Sequence, residues 1–185
     1  MFYLTIIPRH IKFKKDNKAG VKLIVGLISQ SENMFDNVRY LLQKKYGNID
    51  MKSGVMDFDH TNYYEKEFGS NLKKIFFSFR NLLRTKDMFK IKIHTIKIEK
   101  RLTIQGKRQV NIDPGYVTMD KLVLFTTKNY GHRVYLNNGI YAEITLKFES
   151  NTFIPWPWTY QDYKTKGYID FFNKVRNIYK RQLAS

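Results

Sequence analysis

The sequence predicts an α+β fold: an antiparallel or mixed sheet with a ferredoxin-like β-α-β-β-α-β core, an added β-hairpin and a C-terminal helix. Three observations predict it. Six segments after residue 20 alternate strand-like and helical apolar periodicity in that order. Tyr135-Leu136-Asn137-Asn138-Gly139-Ile140-Tyr141 carries the hairpin signature. Ile169, Phe172, Val175, Tyr179 and Leu183 recur at helical spacing near the end of the chain.

Each element has its own warrant. Val21–Ser29 (VKLIVGLIS) is a nearly continuous apolar run, as a strand covered on both faces shows. Ser31 offers an N-cap to a helix carrying Met34, Phe35, Val38, Leu41 and Leu42, which Tyr46-Gly47 ends. Ile49–Phe58 reads as a second strand, Thr61–Ser70 as a polar connector and Lys74–Arg80 as a third strand. Across Lys86–Gln105, Met88, Ile91, Thr95, Ile98 and Leu102 form one helical stripe, and the length of the segment favours helix over strand. Gly106 ends that helix. Arg108–Asp113 is the fourth strand, and Pro114-Gly115 reads as a type II turn. Thr118 caps an expected short helix running to Lys128.

Hydrophobic consistency sets the hairpin register. A three-residue loop, Asn137–Gly139, pairs Leu136 with Ile140 and Val134 with Ala142, and sets His132 facing Ile144 on the same apolar side. The opposite face then carries Arg133 beside Glu143 and Tyr135 beside Tyr141. That face is expected to be solvated, and His132 is expected to be a hydrogen-bonded core histidine.

Composition narrows the functional classes. The 185 residues suffice for one domain with a substantial core, and 43% hydrophobic with 16% aromatic content exceeds what a disordered tail carries. Residues 1–20 read as a basic N-terminal arm and 21–185 as a single α+β domain. No apolar run approaches a bilayer span, so no membrane contact is expected. The absence of cysteine excludes disulfides, thiolate zinc sites and a cysteine nucleophile, and cytoplasmic location is the expectation. Against 16 acidic residues stand 33 Lys and Arg, a net charge of +17. The lysines are scattered through a chain also rich in Asn, Ile, Tyr and Phe, a pattern that AT-rich coding produces. Weak, non-specific nucleic-acid binding is therefore expected.

Candidate chemistry gathers in Asn111–Phe148. Thr127 and Lys128 offer phosphate donors, Arg133 a cation, and Tyr135 and Tyr141 a stacking surface, which together suit an anionic small molecule. Asp113 and Glu143 are the candidate catalytic bases. Asp57 and Asp59, with Glu65 beyond them, form an oxygen-rich cluster of the kind that holds Mg²⁺ or Mn²⁺. Pro155-Trp156-Pro157-Trp158-Thr159-Tyr160 reads as an extended aromatic clamp. Neither phosphate-loop motif nor a nucleophile elbow occurs, and no motif specifies a cofactor.

DPGYVTMDKLVLFTTKNYGHRVYLNNGIYAEITL, with VKLIVGLIS and YYEKEFG before it and PWPWTY and FFNKVRNIYKRQL after it, resembles the prokaryotic family called domain of unknown function 4416. The resemblance spans Val21–Leu183. It implies that Tyr64, Glu65, Asp113, Thr127, Lys128, His132, Arg133, Tyr141 and Glu143 belong to the family's shared blocks, and it gives none of them a role. Some relatives carry a GTP-binding label, whereas this chain has no P-loop. The leading expectation is a binding module for a nucleotide-like or phosphorylated anionic ligand. Its rivals are a metal-assisted enzyme on a phosphorylated substrate, an RNA-binding protein and a homo-oligomeric assembly protein.

Overall fold

A computed structural model describes residues 20–59 and 65–184. The expected basic arm, apart from Gly20, lies outside the described residues, as do His60 and residues 61–64, the start of the expected connector. The order is β1 (Val21–Ser29), α1 (Glu32–Tyr46), β2 (Ile49–Lys52), β3 (Met56–Asp57), α2 (Glu65–Phe68), β4 (Lys73–Leu83), α3 (Met88–Arg101), β5 (Asn111–Val117), β6 (Lys121–Thr126), β7 (Val134–Asn137), β8 (Ile140–Glu149), β9 (Thr152–Pro155) and α4 (Lys166–Ala184). The nine strands form one sheet ordered β2-β4-β1-β5-β6-β8-β7, with β3 added to β4 and β9 to β8. Every pairing is antiparallel.

β1 is central and buried along its whole length, as its apolar run predicts. Its residues alternate between two cores. Leu23, Val25 and Leu27 pack with Phe35, Val38 and Leu42 of α1 and with Met88, Ile91 and Ile98 of α3. On the opposite face Ile24 joins Phe76, Leu122, Leu146, Phe153 and the α4 residues Phe171, Phe172 and Val175. Gly26 leaves room for this second core, because a Cβ there would lie 2.8 Å from the Phe76 ring. Lys22, fully buried, donates to Asp50 at 2.5 Å, to the Phe79 carbonyl at 2.9 Å and to Gln182 at 2.8 Å. Burial outweighs Asp50 and lowers its pKa.

Four expectations change. The single strand over Ile49–Phe58 is two short strands, β2 and β3, separated by Ser53–Val55. The Pro-Gly turn does not form: β5 runs through Pro114, opposite Val25, and Gly115, opposite Ile24. β6 joins only from Gly115 onward, so Pro114 sits where β5 has a strand on one side, a position that tolerates a missing N–H. Gly115 serves a close approach instead, since a Cβ there would lie 2.3 Å from the Val123 carbonyl oxygen. The short helix expected after Thr118 is the strand β6, whose Val123 and Phe125 enter one core while Leu122 and Leu124 enter the other.

In the hairpin Val134 pairs with Ala142 as expected, but Asn137, not Leu136, pairs with Ile140. The loop is the two-residue Asn138-Gly139, both left-handed at φ 50° and 73°, as a type I′ turn requires. A bulge between Tyr135 and Asn137 absorbs the extra residue, which is why the rest of the register survives.

Candidate functional site

The site lies on the outer edge of β8. There β7 pairs with Ile140–Ala142 and β9 with Leu146–Glu149, which leaves Glu143–Thr145 without a strand partner on that side. Pro155 and Pro157 stop the chain from continuing along the edge, and the next residues fill the gap. The Thr159 hydroxyl donates to the Thr145 carbonyl at 2.5 Å, and Trp158 Nε1 donates to the Ile144 carbonyl at 3.3 Å.

Beneath this plug sits an ion pair. Arg133 Nε donates to Glu143 Oε2 at 2.7 Å, Nη1 to the Lys128 carbonyl at 3.0 Å, and Nη2 to the Tyr160 phenol oxygen. The guanidinium lies 4.6 Å from the Tyr130 ring centroid. Thr145 donates to the other Glu143 oxygen at 3.3 Å, and His132 Nε2 lies 3.4 Å from Oε2. The two side chains are only 1% and 2% exposed. Burial, then the Glu143 carboxylate, pushes the Tyr160 phenol up to about 12.

The Arg133–Glu143 part of the expected solvated face is thus covered, while Tyr135 on that face is 57% exposed. Arg133 and Glu143 are partners as expected, with Tyr135 and Tyr141 directly paired, but the loop from Trp156 to Tyr160 covers the ion pair. The apolar side is covered only in part: Ile140 is core and Ala142 packs against it, while Val134 is 67% and Ile144 42% exposed. His132 departs from expectation as well. Its polar contact is Glu143, and it belongs to a row of parallel rings.

That row runs Tyr130, His132, Trp158, Trp156. Successive centroids are 6.2, 5.7 and 5.1 Å apart, with interplanar angles of 6°, 18° and 5°. Lys147 adds an ammonium 5.2 Å from the Trp156 centroid. The Trp156 and Trp158 half of this row is legible in the sequence as part of an aromatic clamp, whereas Tyr130 carries no signal of its own.

The other predicted residues are placed as follows. Thr127 is exposed and Lys128 half-buried at the end of β6. Tyr135 and Tyr141 meet edge to face at 5.4 Å. Asp113 lies outside the row: Asn111 donates to it at 2.6 Å and Lys92 Nζ lies 3.1 Å away. Lys92 and Glu99 of α3 complete the unpaired edge of β5, the first donating to the Ile112 carbonyl and the second accepting from its N–H. Asp57 is exposed and bridges Lys73 at 2.5 Å, Asp59 follows β3, and the Glu65 side chain lies outside the described residues. Among the described residues no group of three or more His, Asp or Glu is placed to hold a metal ion.

Sequence reasoning missed a second buried pair, Lys74–Asp162 at 2.5 Å, both side chains under 8% exposed. The rings of Phe58, Phe76, Tyr163 and Tyr168 surround the ammonium at 4.5 to 5.2 Å. Burial holds the Tyr163 phenol far above its ordinary range. Two surface cavities, of about 460 Å³ beside Tyr46, Leu83 and Met88 and about 370 Å³ beside Ser29, Met34 and Arg108, do not include the ring row.

Residues 19–179 match the model of a family described as Domain of unknown function (DUF4416). No curated protein and no solved structure matches the chain.

Proposed function

The chain thus belongs to the DUF4416 family, and from the geometry of the site we propose that it is a binding module for a nucleotide-like or phosphorylated anionic ligand. The parallel row from Tyr130 to Trp156 carries this reading. Parallel aromatic rings, with Tyr130 and Trp158 exposed, suit a nucleobase, and base–aromatic stacking contributes about 1–3 kcal/mol per base. Lys147, which also pairs with Glu149, and Lys128, two residues before Tyr130, supply cations for phosphate, with the exposed Thr127 hydroxyl as a further donor. Tyr135 and Tyr141 form a side wall. Arg133 takes a different role from the one its charge suggests. With Nε, Nη1 and Nη2 all engaged, it positions Tyr130, Tyr160 and the Lys128 backbone.

The same reading covers architecture and setting. The strand order β2-β4-β1-β5, with α1 and α3 on one face, supports a ferredoxin-like core. In RNA-recognition modules of related layout the other face is open to bases, whereas here α4 covers it. Nucleic acid is therefore a weak, unselective partner in this proposal. A metal-assisted reaction has less support, because Glu143 is committed to Arg133 and Asp113 to Asn111 and Lys92. A cytoplasmic setting is part of this proposal, and no helix among the described residues is long and apolar enough to cross a membrane.

Both tryptophans of the chain stand in the row, so intrinsic fluorescence reports on it directly. Titration with a nucleoside triphosphate should give saturable quenching, and inorganic phosphate a weaker response. Trp158→Ala and Lys147→Ala should each weaken the nucleotide response about tenfold, the equivalent of roughly 1.4 kcal/mol. Unchanged fluorescence at millimolar nucleotide would refute the reading.

A further inference from the structure

We propose that two copies of the chain associate through the outer edge of β7, pairing antiparallel across a two-fold axis at Tyr135. The borders of the sheet differ in how they are protected. β2 is one border, and Asp50 and Lys52 put charge on two of its four residues. On the other side β9 ends in Pro155, which cannot donate to a further strand. Charge and proline are the usual devices that keep sheet borders from joining. β7 has neither. Its protection is its four-residue length and the bulge at the turn end, which leaves Val134 and Tyr135 in regular pairing with β8.

Charge identifies the occupant. A molecule at +17 repels its own copy, and a two-fold contact brings identical side chains together. Self-association at low electrostatic cost therefore needs an uncharged strip. Val134–Ala142 (VYLNNGIYA) contains no Asp, Glu, Lys or Arg in a chain that is 26% charged. Its nearest charges, Arg133 and Glu143, neutralise each other internally. The strip is also apolar where it faces outward: Val134, Tyr135 and Leu136 are 67%, 57% and 41% exposed. Centring the axis on Tyr135 sets Val134 of each copy against Leu136 of the other, so all three side chains gain cross-strand neighbours.

The contact shares Tyr135 with the side wall of the proposed ligand site but none of the ring row, and sedimentation without nucleotide tests it apart from that reading. Sedimentation equilibrium should show a mass rising with concentration from 22.2 kDa toward twice that value. Raising the salt should strengthen association, because screening removes the long-range repulsion while leaving backbone pairing intact. Val134→Lys should hold the protein at monomer mass. Since the chain has no cysteine, Tyr135→Cys and Ile104→Cys give single thiols at nearly equal exposure, 57% and 58%. Mild oxidation should link the first into a dimer at least tenfold faster than the second, a test that holds even if the lysine variant folds poorly. A wild-type protein that stays monomeric at high concentration and salt would overturn the proposal, and so would equal cross-linking of the two thiols.

Discussion

Replacing Arg133 with alanine should be among the most damaging single changes in the hairpin region. With the two side chains 1% and 2% exposed, the truncation leaves a carboxylate buried without its cation. The groups left near Glu143 are the Thr145 hydroxyl at 3.3 Å and the His132 ring at 3.4 Å. Breaking such a buried pair from one side costs about 3–5 kcal/mol, whereas an exposed pair is worth about 0–1 kcal/mol. For a chain of this length each kcal/mol moves Tm by about 2–4 °C, so the expected fall is roughly 6–20 °C. Urea unfolding followed by tryptophan fluorescence, with a calorimetric check, measures it. Removing both charges is the informative control, since Arg133→Met with Glu143→Leu should recover most of the loss. A cost below about 1 kcal/mol for Arg133→Ala would refute the reasoning, as would a double variant as unstable as the two single losses added together.

Other perturbations test separate parts of the molecule. Lys74→Met should cost about 3–5 kcal/mol by stranding Asp162, which is 5% exposed, and thermal unfolding would detect it. Gly115→Ala should cost about 1–3 kcal/mol or more, because its Cβ meets backbone at 2.3 Å, and amide exchange should quicken in β5 and β6. Burial first, then Lys45, Arg101 and Lys97, hold His94 below its ordinary 6.5, with Nδ1 2.8 Å from the Tyr46 hydroxyl. A depressed pKa favours the native state while the ring is neutral, so this contribution is complete above pH 6.5 and is lost as pH falls through the folded value. His94→Gln should flatten that acid-side loss in a pH series of unfolding curves. Glu99, pushed up by burial, acts in the opposite sense and should still be visible in the variant as stability gained on acidification.

Sequence periodicity carried the long elements well. β1, α1, α3 and α4 have apolar patterns long enough to fix both type and covered face. Errors arose where one residue type serves two physical ends. Pro114-Gly115 has turn chemistry, but its glycine answers to the Val123 carbonyl on a neighbouring strand. In the hairpin, local alternation fixed which residues share a face, but it could not say which face is wet. That depends on Trp156–Tyr160, which arrives only after β8 and β9. The Lys74–Asp162 pair joins residues 88 apart and left no local trace. Of the expected site, Lys128, Arg133 and Glu143 come together as neighbours, whereas α3 holds Asp113 elsewhere.

The central position of β1 also has consequences during synthesis. VKLIVGLIS leaves the ribosome before every other described strand, yet Gly26 waits for Phe76 on one side and Asp113 on the other. The α4 cover over Ile24 follows only with residues 168–175. A nine-residue, largely apolar, β-prone run thus waits unpaired until β4 and then β5 are made, for seconds at typical elongation rates of about 5–20 residues per second. Contacts this distant also slow folding after release. Nascent chains stalled before β4 should therefore depend on chaperones that clasp extended apolar segments, and β1 should be the segment they hold.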